Sequence, residues 1–152
     1  MLHEALGTTT TDRPHDLQHR HIESFRPITA RPDGTAKGGL AGWQLRKVVQ
    51  HIEDNLAGAL SCHDLAAAAR LSTGHFCRAF KTSVGEPPHA YVIRQRIRRA
   101  QRLMLQTDDA LSEIACVCGL TDQAHLTRLF RRIVGTTPKV WRNRWKPLNL
   151  SG

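Results

Sequence analysis

A chain of 152 residues with 40% hydrophobic content is sized for one ordinary domain with a buried core. It has no run of about eighteen apolar residues and no basic start followed by an apolar stretch, so neither a membrane span nor a secretory leader is expected, and a cytoplasmic, nucleoid-associated protein is. The net charge of +9 falls wholly within residues 41–152, because residues 1–40 hold five Lys/Arg against five Asp/Glu, and such a balance points to a polyanionic partner.

In chain order, residues 1–39 are rich in Thr, His, Pro and Gly, lack apolar periodicity and predict a flexible polar arm. From Trp43 the pattern changes: Leu45, Val48, Val49, Ile52 and Leu56 have the spacing of an amphipathic helix, which should end near Gly58. Ser61 can cap a short helix over Cys62–Arg70, with Asp64 placed to reach back to free amides, and the run Ala66–Ala69 would let a second helix approach closely. After a turn at Leu71-Ser72, the stripe Phe76, Phe80 and Val84 defines the next helix, stopped by Gly85 and Pro87-Pro88.

A long connecting helix follows from His89 to about Gln106, with Ile93, Ile97, Ala100 and Met104 on one side and Arg94, Arg98, Gln101 and Arg102 largely elsewhere. Thr107-Asp108-Asp109 breaks it, and another short helix begins at or just before Ser112-Glu113. Leu126, Phe130 and Ile133 mark one further helix, ended by Gly135. Thr136 or Thr137 caps the last, with Pro138 in its first turn and Trp141 and Trp145 closing the core. Residues 147–152 read as a disordered tail.

This order contains an internal repeat. Leu65-Ala66, Leu71-Ser72, Arg78, Phe80, Gly85, Pro88 and Tyr91 recur as Ile114-Ala115, Leu120-Thr121, Arg128, Phe130, Gly135, Pro138 and Trp141. Each copy spells a short helix, a tight turn and a second helix ended by glycine, the helix-turn-helix that places a helix in the DNA major groove. The predicted fold is all-α: two helix-turn-helix subdomains joined by a long connecting helix over residues 40–146, behind the flexible arm.

If Phe76, Phe80 and Val84 point inward, Thr73, Gly74, Cys77, Arg78 and Lys81 lie on or beside the outward face of the first recognition helix. Leu126, Phe130 and Ile133 likewise leave Gln123, Ala124, Thr127, Arg128 and Arg131 outward on the second. Arg reads guanine O6 and N7, Gln reads adenine, and Ala or a Thr methyl suits the thymine methyl, so the second helix is better equipped for discrimination. Arg78 and Arg128 have a second use open to them, bonding carbonyls or phosphates. Ser72 and Thr121 carry hydroxyls suited equally to a phosphate at a helix N-terminus and to capping that helix. A connecting helix of about 18 residues spans about 27 Å, which lets the two recognition helices enter major-groove segments about 34 Å apart.

The stretch from about Leu45 to Arg142 resembles the DNA-binding domain of AraC/XylS-type bacterial transcriptional regulators, most specifically in Ile114-Ala115, Gly119-Leu120, Arg128-Leu129-Phe130, Gly135 and Thr137-Pro138. The resemblance implies about seven helices, action as an activator or repressor on promoter double-stranded DNA, and contact with RNA polymerase. It departs from the family's usual pattern at Arg70, where glycine is usual, and at Leu120, where phenylalanine is. Arg70 disfavours left-handed backbone, and the shorter first turn is expected not to need it. Many relatives carry a sensing and dimerising domain ahead of this module, which 39 polar residues cannot form. A monomeric regulator without cofactor or metal is therefore expected, either of the stand-alone type or a module detached from a larger ancestor.

Three other readings compete. A metal-binding or redox switch would draw on His15, His19 and His21 and on Cys116 and Cys118, but Pro14 and the lack of apolar anchors oppose a fixed His site. A thiol switch would draw on Cys77, read as exposed beside Arg78. A general nucleic-acid binder would show the same charge with little sequence preference. An enzyme is not expected, since G-x-S-x-G, the P-loop and H-E-x-x-H are all missing.

Overall fold

Apolar side chains gather into two cores, not the one that chain length suggested. The computed structural model describes residues 37–146. They form seven helices: α1 Gly42–Asp54, α2 Cys62–Ala68, α3 Thr73–Val84, α4 Pro88–Gln106, α5 Leu111–Val117, α6 Gln123–Val134 and α7 Pro138–Trp145. The expected arm, save its last three residues, and the expected tail lie outside the described residues, as do His15, His19 and His21.

The first core is built by Leu45, Val48 and Ile52 of α1, Leu65 and Ala66 of α2, Phe76 and Phe80 of α3, and Tyr91 and Val92 of α4. The second repeats the plan with Ile97, Ala100 and Met104 of α4, Ile114 and Ala115 of α5, Leu126 and Phe130 of α6, and Trp141 of α7. At about 100° per residue, Tyr91 and Val92 lie on nearly the opposite side of α4 from Ile97, Ala100 and Met104. One helix therefore serves both cores and holds the two units to its two sides. The internal repeat extends to packing: Phe80 meets Tyr91 edge-on at 5.5 Å and Phe130 meets Trp141 edge-on at 5.7 Å, contacts each worth about 0.5–1.5 kcal/mol beyond burial.

Several local expectations change. α1 stops at Asp54 because the Asn55 side chain donates to the His51 carbonyl at 2.8 Å, so Leu56 enters the core from the loop. Asp64 does not reach a free amide: its carboxylate accepts from the Ser61 hydroxyl at 2.8 Å, while that hydroxyl accepts from the Asp64 N–H. Val84 and Ile133 are only partly buried, and Ala79 and Leu129 complete the stripes. Gln101, expected away from the apolar side, is 1% exposed within the second half of α4, where its neighbours Ile97, Ala100 and Met104 face the core.

Arg70 overturns the expectation for the first turn, since its φ is +57°. α2 ends in a Schellman motif, with Leu71 N–H on the Ala66 carbonyl and Arg70 N–H on that of Ala67. α5 ends identically, with Leu120 N–H on Ala115 and Gly119 N–H on Cys116. Both turns need a left-handed residue there, and Arg70 meets the same demand as Gly119, its guanidinium lying 6.0 Å from the Trp43 ring. The second turn is one residue longer, and this shifts its cap. Ser72 caps α3 by accepting from His75 N–H, whereas Asp122, not Thr121, caps α6 by accepting from His125 N–H at 2.8 Å.

Three cations hold loops in place. Arg96 of α4 donates to the carbonyls of Leu56 (3.1 Å) and Gly58 (2.7 Å), so the α1–α2 loop is gripped by the connecting helix. Gly119 abuts that loop so tightly that a Cβ on it would stand 2.5 Å from the Leu56 carbonyl oxygen. The second turn thus packs directly against the first unit. In the second unit Arg142 donates to the carbonyls of Met104, in the last turn of α4, and of Thr107 and Asp109 just after it, and Lys146 donates to the Thr107 carbonyl and the Asp108 carboxylate. The Lys146 ammonium draws the Asp108 carboxyl below its ordinary pKa through that hydrogen bond.

Candidate nucleic-acid interface

Helical periodicity turns the buried faces of α3 and α6 inward and leaves matching faces in solvent. On α3, Thr73, Gly74, Arg78 and Lys81 are exposed while Phe76, Ala79 and Phe80 are buried. On α6, Gln123, Ala124, Arg128 and Arg131 are exposed while Leu126, Leu129 and Phe130 are buried. Ser72 and Thr121 are exposed in the turns just before these helices. Ten of the twelve sequence-selected positions are therefore open to a partner.

The other two are Cys77 and Thr127, equivalent positions that are both half-buried. Cys77 packs against the first core, because the helix rotation that buries Phe76 and Phe80 carries its sulfur to the core margin. It is not the exposed thiol that the sequence suggested. Thr127 donates its hydroxyl to the Gln123 carbonyl at 2.9 Å. With the hydroxyl engaged, its methyl is the more available part.

The arginines divide into two groups. Arg96 and Arg142 are committed to backbone carbonyls. Burial lowers the Arg96 pKa, as the carbonyl-lined pocket removes it from water. Among the described residues, the side chains of Arg78, Lys81, Arg128 and Arg131 have no hydrogen bond or ion pair. A Cβ at Gly74 would lie 3.6 Å from a guanidinium nitrogen of Arg78, so Arg78 runs back along the helix over the space that Gly74 leaves open. Arg98, placed by the sequence away from the apolar side of the connecting helix, lies in a groove of about 580 Å³ between α1 and α4, lined also by Glu53, Tyr91, Arg99 and Arg102. Its pKa is lowered by burial and then by Arg102. No residue of either recognition helix lines that groove.

Sequence reasoning passed over His75, exposed between Gly74 and Arg78, and Arg132, exposed beside Arg131. It also missed His125, whose Nδ1 accepts from the Thr121 N–H at 3.3 Å and so fixes the turn before α6. The repeat itself held the signal for the capping change: Leu71 and Leu120 are 49 residues apart but Phe80 and Phe130 are 50, which places an extra residue in the second turn. Among the described residues no group of His, Cys, Asp and Glu is arranged to hold a metal ion, and no helix is long and apolar enough to cross a membrane.

Two tandem helix-turn-helix units sharing one connecting helix define a class of DNA-binding domain, and the comparisons place the chain within it. Residues 65–144 match the family described as "Helix-turn-helix domain". The chain belongs to this family, in its AraC-type branch. It is 34% identical over 88 residues to the probable transcriptional regulator LumQ of Photobacterium leiognathi, covering 58% of this chain and 36% of that protein. It is 33% identical over 96 residues to the HTH-type transcriptional activator RhaS of Escherichia fergusonii, covering 63% of this chain and 34% of that protein. The chain thus spans about a third of the length of these curated relatives. Among solved structures it is similar to the DNA-binding domain of the global transcriptional factor AdpA in complex with a target DNA, with a TM-score of 0.65, 30% identity, 72% of this chain and 98% of that one covered. An AraC-type transcriptional regulator from Chromobacterium violaceum gives a TM-score of 0.65 at 28% identity, over 69% of this chain and 94% of that one.

Proposed function

We propose that the chain is a sequence-specific transcriptional regulator that binds promoter DNA as a monomer, α3 and α6 entering successive major-groove segments. The observation that carries this reading is the repeated outward face: each recognition helix presents an untied arginine at the same register, Arg78 on α3 and Arg128 on α6. The 19 residues of α4 set a length of about 28 Å between the units, slightly short of the roughly 34 Å helical turn, which favours a bent duplex. The AdpA domain, solved in complex with a target DNA, supports DNA as the partner.

Within this reading Arg128, Gln123, Ala124 and Thr127 read bases in one half, and Arg78 with Thr73 and Gly74 reads the other. Gly74 lets the backbone come close to the duplex there. Lys81, Arg131 and the turn residues Ser72 and Thr121 meet phosphates, and Asp122 is left to cap α6. The protein acts in the cytoplasm on the nucleoid, as an activator in contact with RNA polymerase. The test is Arg128→Ala on a selected site and on random DNA. A loss of about 1–3 kcal/mol confined to the selected site, with relaxed preference at one base pair, supports base reading. Equal loss on both DNAs refutes it and favours the nonspecific reading.

A further inference from the structure

Some cations of the connecting helix have acceptors and others have none. Arg96 is tied to carbonyls, as Arg142 and Lys146 are in the second unit. Among the described residues, the side chains of Arg98, Arg99 and Arg102 make no hydrogen bond or ion pair. All three line the groove of about 580 Å³ between α1 and α4. Arg98 and Arg102 stand four residues apart and so share one side of α4, with Arg99 beside Arg98. Arg98 and Arg99 are only partly exposed, so water does not fully solvate their charge. Like charges gathered in this way are stabilised by an anion placed between them.

The rest of the lining narrows the occupant. Glu53 is the one carboxylate lining the groove among the described residues, so three guanidiniums against it leave two positive charges. Val49 and Leu56 supply apolar surface. The volume lies within the range of small-molecule sites, about 300–1,000 Å³. A phosphomonoester carries a charge of about −1.5 to −2 at pH 7, which matches the excess, and the planar guanidinium fork suits its oxygens. A DNA phosphate matches less well: it carries a single charge, and no residue of α3 or α6 lines the groove.

We propose that the α1–α4 groove binds a small phosphomonoester, its phosphate held by Arg98, Arg99 and Arg102 and a hydroxyl of its organic body donating to Glu53. Val49 and Leu56 pack against the carbon face of that body. Leu56 also belongs to the loop that Arg96 grips and Gly119 abuts, so the occupant touches the segment that fixes the two units together. The site goes beyond the DNA-reading faces and does not depend on them.

The experiment titrates the full chain with ribose 5-phosphate as the probe, by calorimetry at constant ionic strength and without DNA. Saturable binding of one probe per chain is the expected result, at least about tenfold weaker in Arg98→Gln and in Arg102→Gln. Ribose and dimethyl phosphate, which lack the dianion, should also bind at least about tenfold more weakly than the probe. The probe should raise the urea midpoint of the wild-type chain and leave that of Arg98→Gln unmoved. Arg102 is exposed, so Arg102→Gln carries the comparison if Arg98→Gln does not unfold cooperatively. No saturable heat, or equal affinity in wild type and Arg102→Gln, overturns the proposal. Dimethyl phosphate binding as tightly as the probe overturns it in favour of a DNA backbone phosphate, and succinate binding more tightly overturns it in favour of a dicarboxylate. Because no DNA is present, failure of the DNA-binding reading leaves these outcomes unaffected.

Discussion

Replacing Gly119 by alanine imposes two penalties that the structure separates. The backbone there has φ +77°, where an L-residue costs about 1–2 kcal/mol. The added Cβ would also stand 2.5 Å from the Leu56 carbonyl oxygen and 3.2 Å from the Ala57 carbonyl carbon, both backbone atoms, and 3.0 Å from Arg96 Nε. To relieve the clash the α1–α2 loop must withdraw from Arg96, which holds it by bonds of 3.1 and 2.7 Å. Losing one such charge-assisted bond adds about 1.5–3 kcal/mol, so Gly119→Ala should cost about 2.5–5 kcal/mol. Gly135 is the control: its φ is +92°, but nothing lies within 4 Å of its Cβ position, so Gly135→Ala should cost only the backbone strain, about 1–2 kcal/mol. Urea unfolding followed by tryptophan fluorescence measures both losses. Equal losses for the two variants would show that the second turn does not press on the first unit, and would refute the account of how the units are fixed together.

Three further predictions concern single side chains. Gln101→Leu should raise stability by about 1–3 kcal/mol, because the buried Oε1 has no hydrogen-bond partner among the described residues; a lower urea midpoint would show that the amide is bonded in solution. Tyr91 is pushed up to about 12, first by burial and then by Glu53, against 10.0 when free. The folded chain keeps a proton that the unfolded chain releases, so this stability is complete below pH 10 and is lost as pH rises through about 12. With allowance for solvent near the hydroxyl the loss is at most about 2 kcal/mol, and Tyr91→Phe should flatten the unfolding profile across that window. Asp122→Ala should cost about 1 kcal/mol through the lost cap, whereas Thr121→Ala should leave stability unchanged and weaken DNA binding; the reverse pattern in thermal unfolding would return the cap to Thr121.

What was legible in the sequence was whatever local periodicity and capping express. Phe76 with Phe80, and Leu126 with Phe130, announced their helices because residues three and four apart share a face. Gly85 and Gly135 announced the helix ends, where φ is +91° and +92°. The rest depends on partners far along the chain or on backbone shape. In the sequence Arg96 and Arg142 are two cations among many in residues 41–152, and only the fold brings them to carbonyls 33–40 residues away. Arg70 hid a left-handed backbone, since arginine does not favour it and only the glycine usual at that position hinted at one; the demand comes from the turn geometry it shares with Gly119. A polar Gln101 gave no sign of burial.

The central claim is that one chain reads two DNA elements with two helices. Selection of bound duplexes from a random pool by the wild-type chain, repeated with Arg78→Ala and Arg128→Ala, tests it most directly. The account predicts a non-palindromic site with two elements about one helical turn apart, each variant losing sequence preference in a different element. No enriched sequence, or loss of the same element in both variants, would contradict it.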